Sequence, residues 1–467
     1  MASTVEFTGE RRLLGHQEMY QYSLSQLPSP VGAYVSINMI ESKKEVTLDD
    51  VKYAFEKVSE TNFLLRARIE QTDESAYFAP MNDLHGNGWM GIDETSIETE
   101  KDWTQVLPKI LERKIDLSSG PLWHVKWIKV GGNANDGLFS YILVAVFLHS
   151  ISDGRSGFNL IRNQILPYLN NKTPDVKPIY FGKCVESAVY DFDDDMLPIK
   201  RRAVSVVYRL FTDAMVAKQK IGSLFSSKVD NAVDYVNQFD AVTLSKETST
   251  AFIRLCKKRQ VTVHSLMMVV VHNALHFAKQ KYKLELSLEF LPYAIDVRKF
   301  IDELNDPSKM PLGDYHKLGQ HLMKFVNIEN ETELFKRAEE INAGVKMQNI
   351  PTQEHTLFDC MFHLIQKENL TLETMSALPS VTIFSNLGNC DVMCGDDNSG
   401  DDDVILKEHF FTMQTWSGVF VTVCSYKGQM RFVVSSGLSA GPSKFITKVI
   451  KSNIEYLVNV YLDENEV

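Results

Sequence analysis

Residues 146–158 read VFLHSISDGRSGF, in which an apolar segment is followed by a histidine, an aspartate and two glycines. The apolar segment begins at Tyr141 and continues to Leu148, and it is rich in β-branched and aromatic residues. Its length and composition predict a strand that is buried on both faces. We therefore expect this strand to end at His149, with residues 150–152 forming the turn that follows it.

His149 is a candidate general base. Such a base must lie within hydrogen-bond reach of the proton it removes, with its tautomer fixed, and a strand end can hold an imidazole in this way. Asp153 is free to pair with a cation, and Gly154 is expected to adopt a positive φ and let the chain turn sharply. The alternative is a core histidine beside an aspartate that caps a helix over residues 155–169. The residues alone leave both interpretations open.

Length, composition and charge limit the class of protein. The 467 residues exceed one ordinary core, so we expect two or three domains, and 44% hydrophobic with 23% charged residues is typical of a soluble globular protein. The net charge of −11 and the lack of a long basic cluster argue against a nucleic-acid partner. We find no signal peptide and no run of the roughly 18 apolar residues that a membrane helix needs. The six cysteines are scattered, which favours reduced thiols in the cytoplasm.

Two residue pairs have spacings compatible with metal binding. Cys390 and Cys394 could be half of a zinc site, but no second Cys/His pair stands at a ligand spacing nearby. His272 and His276 are four residues apart on an apolar helix, and no acidic residue lies in register on that face, so helix packing explains them better. We therefore expect no bound metal.

The order of elements predicts a mixed α/β (α+β) chain in two halves. Residues 1–190 form the first domain and 240–467 the second, and residues 191–239 cross over between them. Strands are predicted over residues 33–40, 63–70, 122–130, 141–148, 241–244, 286–295, 381–384, 419–425 and 430–435. Helices are predicted over residues 47–60, 156–169, 204–229, 246–258, 263–281 and 443–463. Residues 395–403 read as an acidic loop.

The motif and its surroundings resemble a known superfamily. Residues 149–154, HSISDG, are similar to the His-x-x-x-Asp-Gly signature of the CoA-dependent acyltransferases. This superfamily includes chloramphenicol acetyltransferase, plant BAHD acyltransferases, fungal alcohol acetyltransferases, mycobacterial polyketide-associated acyltransferases and nonribosomal-peptide condensation domains. Four further stretches resemble the family in its order: LRAR at 65–68, IDLSSGPLW at 115–123, IDVR at 295–298 and SNLG at 385–388. The resemblance spans about residues 10–440.

Two departures from the motifs of the superfamily indicate which of its branches the chain resembles. Leu148 stands where condensation domains usually carry a second histidine, and nothing in the chain matches the Asp-Phe-Gly-Trp-Gly stretch of BAHD enzymes. The chain therefore resembles the alcohol acetyltransferase and polyketide-associated branch more than either of those groups.

The resemblance implies a fold and an activity. It implies two chloramphenicol-acetyltransferase-like domains joined by a crossover, with an active-site tunnel at their interface and His149 facing it. Leu148, on the opposite face of the strand, would pack into the core of the first half. The implied activity is a CoA-dependent O-acyltransferase that moves an acyl group to a hydroxyl, or an amine, with His149 as general base. Acyl-CoA is then a substrate, and no cofactor is required.

The resemblance also implies supporting residues. Asp153 would point away from substrate and pair with Arg298, with Gly154 in the turn, and the alternative for Arg298 is a solvated charge at a strand end. An oxyanion donor is harder to assign. The candidates lie in segments that approach the tunnel in relatives, and each could equally be a turn or core residue: Ser385, Asn386, Thr415 and Trp416.

Two competing functions stay open. One is a stand-alone condensation-type enzyme that takes its acyl group from a carrier-protein thioester, and the other is a non-catalytic binding protein on the same fold. The intact motif weighs against the binding protein, and the absence of a fused carrier domain favours the acyl-CoA donor. The expected partners are acyl-CoA, a small or lipidic acceptor and, under the first alternative, a carrier protein. We expect a monomer.

Overall fold

The computed structural model describes most of the chain: residues 11–26, 32–72, 75–81, 90–131, 137–174, 237–284, 286, 288–301, 312–348, 382–393, 402–415, 418–437 and 441–462. The strands are, in chain order, β1 (Arg12–Leu13), β2 (Ala33–Ser42), β3 (Ala67–Gln71), β4 (Ala76–Pro80), β5 (Ile92–Ile97), β6 (Trp123–Val130), β7 (Phe139–Leu148), β8 (Gln238–Thr243), β9 (Phe290–Asp296), β10 (His316–Leu322), β11 (Thr382–Asn389), β12 (Val404–Met413), β13 (Val419–Tyr426) and β14 (Gln429–Ser436). The helices are α1 (His16–Ser25), α2 (Leu48–Thr61), α3 (Trp103–Leu111), α4 (Gly154–Asn159), α5 (Leu166–Leu169), α6 (Lys246–Lys258), α7 (Val263–Tyr282), α8 (Glu331–Gln348) and α9 (Pro442–Tyr461).

The apolar segment ahead of His149 forms the centre of a five-stranded sheet. The strand order is β12-β2-β7-β6-β5, and β7 runs antiparallel to both β2 and β6. Every residue of β7 after Phe139 is buried, as a strand covered on both faces should be. Leu148 is 1% exposed and belongs to the core of the first half, which confirms the packing expected for it.

The second half is built on a six-stranded sheet in the order β10-β9-β11-β13-β14-β8. Strand β11 runs parallel to β13, and its register shifts at a bulge between Asn386 and Gly388. Helices α6, α7 and α9 pack together over this sheet and share one core with it. Edge strand β10 pairs with β9 so that His316 lies opposite Asp296. This pairing brings the start of one strand to the end of the other.

Strand β12 joins the two halves. It comes from the C-terminal part of the chain, yet it pairs with β2 of the five-stranded sheet. Ser435 of β14 donates its hydroxyl to the Met413 carbonyl at 3.1 Å, and Arg431 donates to Glu408 at 3.2 Å. A third apolar cluster, with Val35 from β2 and Val433 from β14, fills the space between the sheets. The two sheets are therefore held together by backbone pairing, side-chain hydrogen bonds and apolar packing.

The predicted mixed α/β class is confirmed. Helix α6 spans the predicted residues 246–258, and Thr47 caps α2 with a capping box. The strand predicted over residues 63–70 is partly wrong, because Phe63–Arg66 form a 3-10 turn before β3. Strands β10 and β12 were not predicted.

The helix after the motif is longer than predicted and irregular. It begins with α4 at Gly154, passes through a π-helical segment at Leu160–Ile165 and ends with α5. The helix predicted over residues 204–229 and most of the loop predicted over 395–403 lie outside the described residues. The domain boundaries at residues 190 and 239 stay predictions, because residues 175–236 are not described either.

The length and hydropathy of the helices bear on whether any of them could cross a membrane. In the described part of the chain, no single helix has the length and apolar content to cross a membrane. Helices α6 and α7 meet that test only as a pair, and they are bent by 111° relative to each other.

Candidate active site

His149 lies at the junction of the two sheets. Strand β7 ends one residue before it, and His149 begins the 3-10 turn His149–Ile151. Its backbone N–H donates to the Gly32 carbonyl at 3.1 Å. The centroid of its ring is 5.9 Å from the ring of Tyr34 on β2 and 5.1 Å from that of His316 on β10. The imidazole is thus buried, at 5% exposure, between side chains of both halves.

Helix α1 holds the turn from one side. The Ser150 hydroxyl donates to the Glu18 carbonyl at 2.7 Å, and Glu18 itself forms an ion pair with Arg12 at 2.7 Å. Gln17, the preceding residue of α1, places its amide nitrogen 3.3 Å from Asp314 Oδ2. The N-terminal helix therefore contacts both the histidine turn and the start of β10.

Asp314 and His316 lie beside His149. Asp314 Oδ1 and His316 Nδ1 form a short hydrogen bond, and Asp314 Oδ2 is 3.7 Å from His149 Nδ1. The Asp314 side chain is fully buried, at 0% exposure. The Nδ1 atom of His149 is buried and makes no hydrogen bond. The site therefore contains two imidazoles that share one buried carboxylate.

The surroundings move the pKa values of the two imidazoles in opposite directions. Burial lowers the pKa of His149, the Asp314 carboxylate opposes this in part, and His316 lowers it further. Burial alone would lower the pKa of His316 as well, but the charge of Asp314 and its hydrogen bond outweigh burial and raise it. The lowered pKa favours an uncharged His149 at neutral pH, as a general base requires.

The same three side chains are of the types that bind metals. Their ligand atoms all lie within 4.8 Å of one another. Two ligands of one zinc ion stand about 3.3 Å apart, because each bond is about 2.0–2.1 Å long and the geometry is tetrahedral. The short hydrogen bond between Asp314 and His316 leaves no room for an ion between its two atoms. We therefore interpret the cluster as an acid–base group.

Asp153 forms the ion pair with Arg298 that the resemblance implies. Arg298 Nη2 lies 2.8 Å from Asp153 Oδ2 and donates to Asp153 Oδ1 at 2.9 Å. Arg298 is 2% exposed, so the alternative of a solvated charge at a strand end is wrong. Its guanidinium also stacks over the Tyr315 ring at 4.7 Å. The pair thereby joins the turn after β7 to the end of β9.

Asp153 is at the same time the N-cap of α4. Its Oδ1 accepts from the backbone N–H groups of Arg155 at 3.1 Å and Ser156 at 3.0 Å, and its Oδ2 accepts from that of Tyr315 at 2.9 Å. Burial would raise the pKa of Asp153, but Arg298 and the Ser156 and Tyr315 amides outweigh burial and lower the pKa to about 2. The capping and the pairing interpretations of Asp153 therefore both hold.

A second ion pair reinforces this junction. Asp296, at the end of β9, pairs with Arg155 of α4 through a short hydrogen bond and accepts from Arg298 at 3.1 Å. The motif turn is therefore fastened to the second half by two arginines and two aspartates.

The expectation for Gly154 is wrong. Its φ is not among the positive values, and it is the first residue of α4. A Cβ built at Gly154 would lie 3.0 Å from the Leu387 side chain and 3.6 Å from that of Phe411. Glycine fits here because β11 and β12 approach the helix start closely. The sharp turn comes instead from the 3-10 segment that precedes it.

The oxyanion candidates are only partly described. Ser385 and Asn386 are half-buried on β11, and the Asn386 side-chain oxygen accepts from the Gly388 N–H at 2.9 Å. The backbone N–H of Thr415 donates to Asn237 at 3.0 Å. Trp416 lies outside the described residues. These contacts account for part of the local structure, and the role of these residues as oxyanion or tunnel contacts stays a prediction.

The other candidate metal residues have structural partners. The ring nitrogen of His272 lies 3.0 Å from the Leu288 carbonyl, and burial lowers its pKa to about 4. His276 bonds to Gln280 at 2.9 Å on the same helix. Cys390 is buried, and Cys394 lies outside the described residues.

Sequence reasoning missed Asp314 and His316. They follow residues 302–311, which are not described, and stand 165 and 167 positions after His149 in the chain. The available signal was their spacing of two at the start of a strand, which places both side chains on one face. Only the pairing of β10 with β9 brings that face to His149.

Comparison with known proteins bears on the fold. No protein-family model matches the sequence, and a comparison with curated proteins finds no relative. Among solved structures, the TRI3 trichothecene 15-O-acetyltransferase from Fusarium sporotrichioides is similar with a TM-score of 0.64 at 13% identity, covering 95% of this chain and 94% of that one. Polyketide synthase associated protein 5 from Mycobacterium tuberculosis gives 0.58 at 14%, covering 97% and 100%. The condensation domain of the Monacolin K polyketide synthase MokA gives 0.59 at 10%, covering 97% and 98%.

At these identities the similarity shows the fold, and it extends over nearly the whole of each chain. In this chain the fold is built on the two large sheets and a small three-stranded sheet, β1-β4-β3. The chain therefore has the two-domain, chloramphenicol-acetyltransferase-like fold of the acetyltransferase and condensation-domain structures to which it is similar.

Proposed function

We propose that this protein is an acyltransferase that moves an acyl group from acyl-CoA to a hydroxyl, or an amine, with His149 as the general base. The observation that supports this most directly is the position of His149. The imidazole is held at the end of β7 in contact with residues of both sheets, and burial lowers its pKa, which favours the uncharged form that a base needs. Ligand sites favour domain interfaces and strand ends, so an active-site tunnel between the halves is part of the proposal.

The proposed reaction needs one proton carrier. His149 accepts the proton of the acceptor O–H or N–H as the oxygen or nitrogen attacks the thioester carbonyl carbon. The tetrahedral intermediate then collapses, the C–S bond breaks, and His149 returns the proton to the leaving thiolate. The products are the ester or amide and free CoA thiol. No acyl-enzyme forms, and the protein contributes a positioned base and a site shielded from water.

The ion pairs around Asp153 have a supporting role in this proposal. Both oxygens of Asp153 already accept hydrogen bonds, from Arg298 and from the backbone N–H groups of Ser156 and Tyr315. Neither oxygen is therefore free to orient the base. Its effect on catalysis is to fix the turn that carries His149 against the end of β9. Arg298 and Gly154 belong to the same support.

The nature of the donor decides between the two enzyme candidates. Condensation domains are among the proteins of this fold, so a carrier-protein thioester is the second candidate. The expected cytoplasmic location is also part of the proposal: the three cysteines that the structure describes are buried and form no disulfide with one another.

The test is a panel assay. Purified protein is incubated with acyl-CoAs of different chain length and with alcohol and amine acceptors, and free thiol is measured with a colorimetric reagent. A parallel series uses the same acyl groups on a phosphopantetheinylated carrier protein. We expect acceptor-dependent release of CoA thiol. Release from the carrier protein alone would identify a condensation-type enzyme, and acyl-CoA binding without release from either donor would identify a binding protein.

A further inference from the structure

The cluster beside His149 contains a buried carboxylate without a strong cation. Asp314 as a whole residue is 2% exposed, and a carboxylate at that depth requires a positive partner or a proton. Neighbouring carboxylates have arginine partners: Glu18 with Arg12, Asp153 with Arg298, and Asp296 with Arg155 and Arg298. Within the described residues, the groups at ion-pairing distance from Asp314 are His149 and His316. When Asp314 is ionised, its counter-charge within the described residues comes from one of these two imidazoles.

The geometry selects His316. Its Nδ1 makes the short hydrogen bond to Asp314 Oδ1, whereas the Nδ1 of His149 is 3.7 Å from Oδ2 and makes no hydrogen bond. Gln17 adds an amide contact at 3.3 Å to the oxygen that faces His149. The imidazole that shares a proton directly with the carboxylate takes the charge, because a charge-assisted hydrogen bond is about twice as strong as a neutral one.

We propose that Asp314 and His316 form a fixed ion pair beside the base, in which His316 takes the positive charge that the buried carboxylate requires and leaves His149 uncharged. The inference rests on the proposed function in that His149 is the base. Asp314 and His316 act through His149 and are positioning residues. Their contribution is to set the lower pH limit of catalysis.

The remaining ionisable groups near the pair do not provide an alternative counter-charge. Asp153 faces both histidines, but Arg298 neutralises it. Burial raises the pKa of Tyr34 well above its ordinary value, so this ring is uncharged beside His149. Lys317 follows His316 on β10, and strand alternation directs its side chain to the opposite face.

The directions of the two pKa shifts agree with this assignment. Asp314 raises the pKa of His316 against the effect of burial, and the charged His316 in turn lowers that of His149. The ring centroids are 5.1 Å apart, within the range at which one positive charge disfavours a second. His316 is thus protonated at a higher pH than His149.

Removal of His316 should therefore move the charge to His149. In His316→Gln, the amide can still donate to Asp314, but the carboxylate has lost its cation. His149 then becomes the remaining imidazole within 3.7 Å of Asp314, and an opposite charge at that distance raises a pKa by about one to three units. The pKa that governs the acidic limb of the kcat/KM profile should rise by the same amount, and activity should recover at high pH. The double variant Asp314→Asn/His316→Gln removes both charges and should return the limb to the wild-type position or below.

The experiment combines a pH profile with a direct titration. The profile of kcat/KM is measured for wild type, both variants and the matched control His276→Gln, which changes a histidine that bonds to Gln280 on the same helix, α7. In parallel, histidine labelled with ¹³C at Cε1 is followed by NMR, and each signal is assigned by its loss in the corresponding variant. We expect wild-type His316 to titrate well above His149, the single variant to raise the titration of His149, and the control to change neither.

Three results would overturn the inference. These are a wild-type titration in which His149 binds its proton before His316, an unchanged His149 titration in His316→Gln, or activity that is lost in EDTA and restored by zinc. The NMR titrations need no turnover, so they test the ion pair independently of acyl transfer. If the titrations agree while acyl transfer is not detected, the ion pair stands and the proposed function fails.

Discussion

Replacement of Asp153 by alanine tests the junction between the motif and the second half. The change leaves the Arg298 guanidinium buried, at 2% exposure, with Asp296 as its remaining ion-pair partner. It also removes the acceptor for the N–H groups of Ser156 and Tyr315. Breaking one side of a buried pair costs about 3–5 kcal/mol, and loss of an N-cap costs about 1 kcal/mol. These contributions share one side chain, so we expect a total of about 3–5 kcal/mol rather than their sum.

The assay is urea unfolding, compared between variants at constant pH. Asp153→Ala should lower the midpoint strongly and reduce soluble yield and activity with it. The matched control is Asp296→Ala, whose carboxylate is 29% exposed and whose loss leaves Arg298 paired with Asp153, so it should cost less than Asp153→Ala. The double variant Asp153→Ala/Arg298→Met removes both buried charges and should be more stable than Asp153→Ala alone. A wild-type midpoint for Asp153→Ala, or a double variant that is no more stable than Asp153→Ala, would refute the reasoning.

The pH dependence of stability gives an independent measure of the same pair. The folded pKa of Asp153 is about 2, below the ordinary value of 3.8, so its contribution is present above about pH 3.8 and is lost as the pH falls towards 2. Asp153→Ala should therefore show a smaller loss of stability between pH 4 and 2 than wild type.

Further predictions concern close contacts and a helix cap. Gly157→Ala should cost about 1–3 kcal/mol in urea unfolding, because its Cβ would lie 2.4 Å from the buried Tyr34 ring. Gly154→Ala should cost less than about 1 kcal/mol, since its neighbour at 3.0 Å is the end of the flexible Leu387 side chain, and the reverse ranking would contradict this packing. Thr47→Ala should cost about 1 kcal/mol through loss of the α2 cap, whereas no change in the midpoint would show that the cap is unimportant.

Local signals predicted the parts of the fold that depend on neighbours in the chain. The caps Thr47 and Thr262 begin helices where expected, and the apolar segment from Tyr141 forms a strand buried on both faces. Periodicity and capping are properties of a few consecutive residues, so they can be recognised in the sequence. The same applies to the end of β7 before His149.

Features that depend on distant pairing could not be predicted in this way. Strand β12 contains Lys407, Glu408 and His409 in its middle and a bulge after Leu406, so its alternation is broken. It is buried because it joins the sheet of the other half, which no local pattern indicates. The expected positive φ of Gly154 is wrong for a related reason, since the constraint there is the approach of Leu387 from β11.

The residues of the site show the same difference between local signals and distant pairing. His149, Asp153 and Arg298 were found from the motif and from the resemblance, because each stands in a short recognisable stretch. Asp314 and His316 belong to no such stretch, and their relevance comes from the pairing of β10 with β9.

The measurement that tests the central claim most directly is the turnover of His149→Ala with the acyl-CoA and acceptor identified in the panel assay. We expect kcat to fall by roughly 10² to 10⁴-fold with little change in KM, because a positioned base acts in the transition state and not in binding. The free energy of unfolding of the variant is measured in urea alongside turnover, so that activity is compared at a temperature and pH where both proteins are folded and the loss reports on chemistry. A folded His149→Ala variant that turns over at a near wild-type rate would contradict the proposed role of His149 and, with it, the mechanism of acyl transfer.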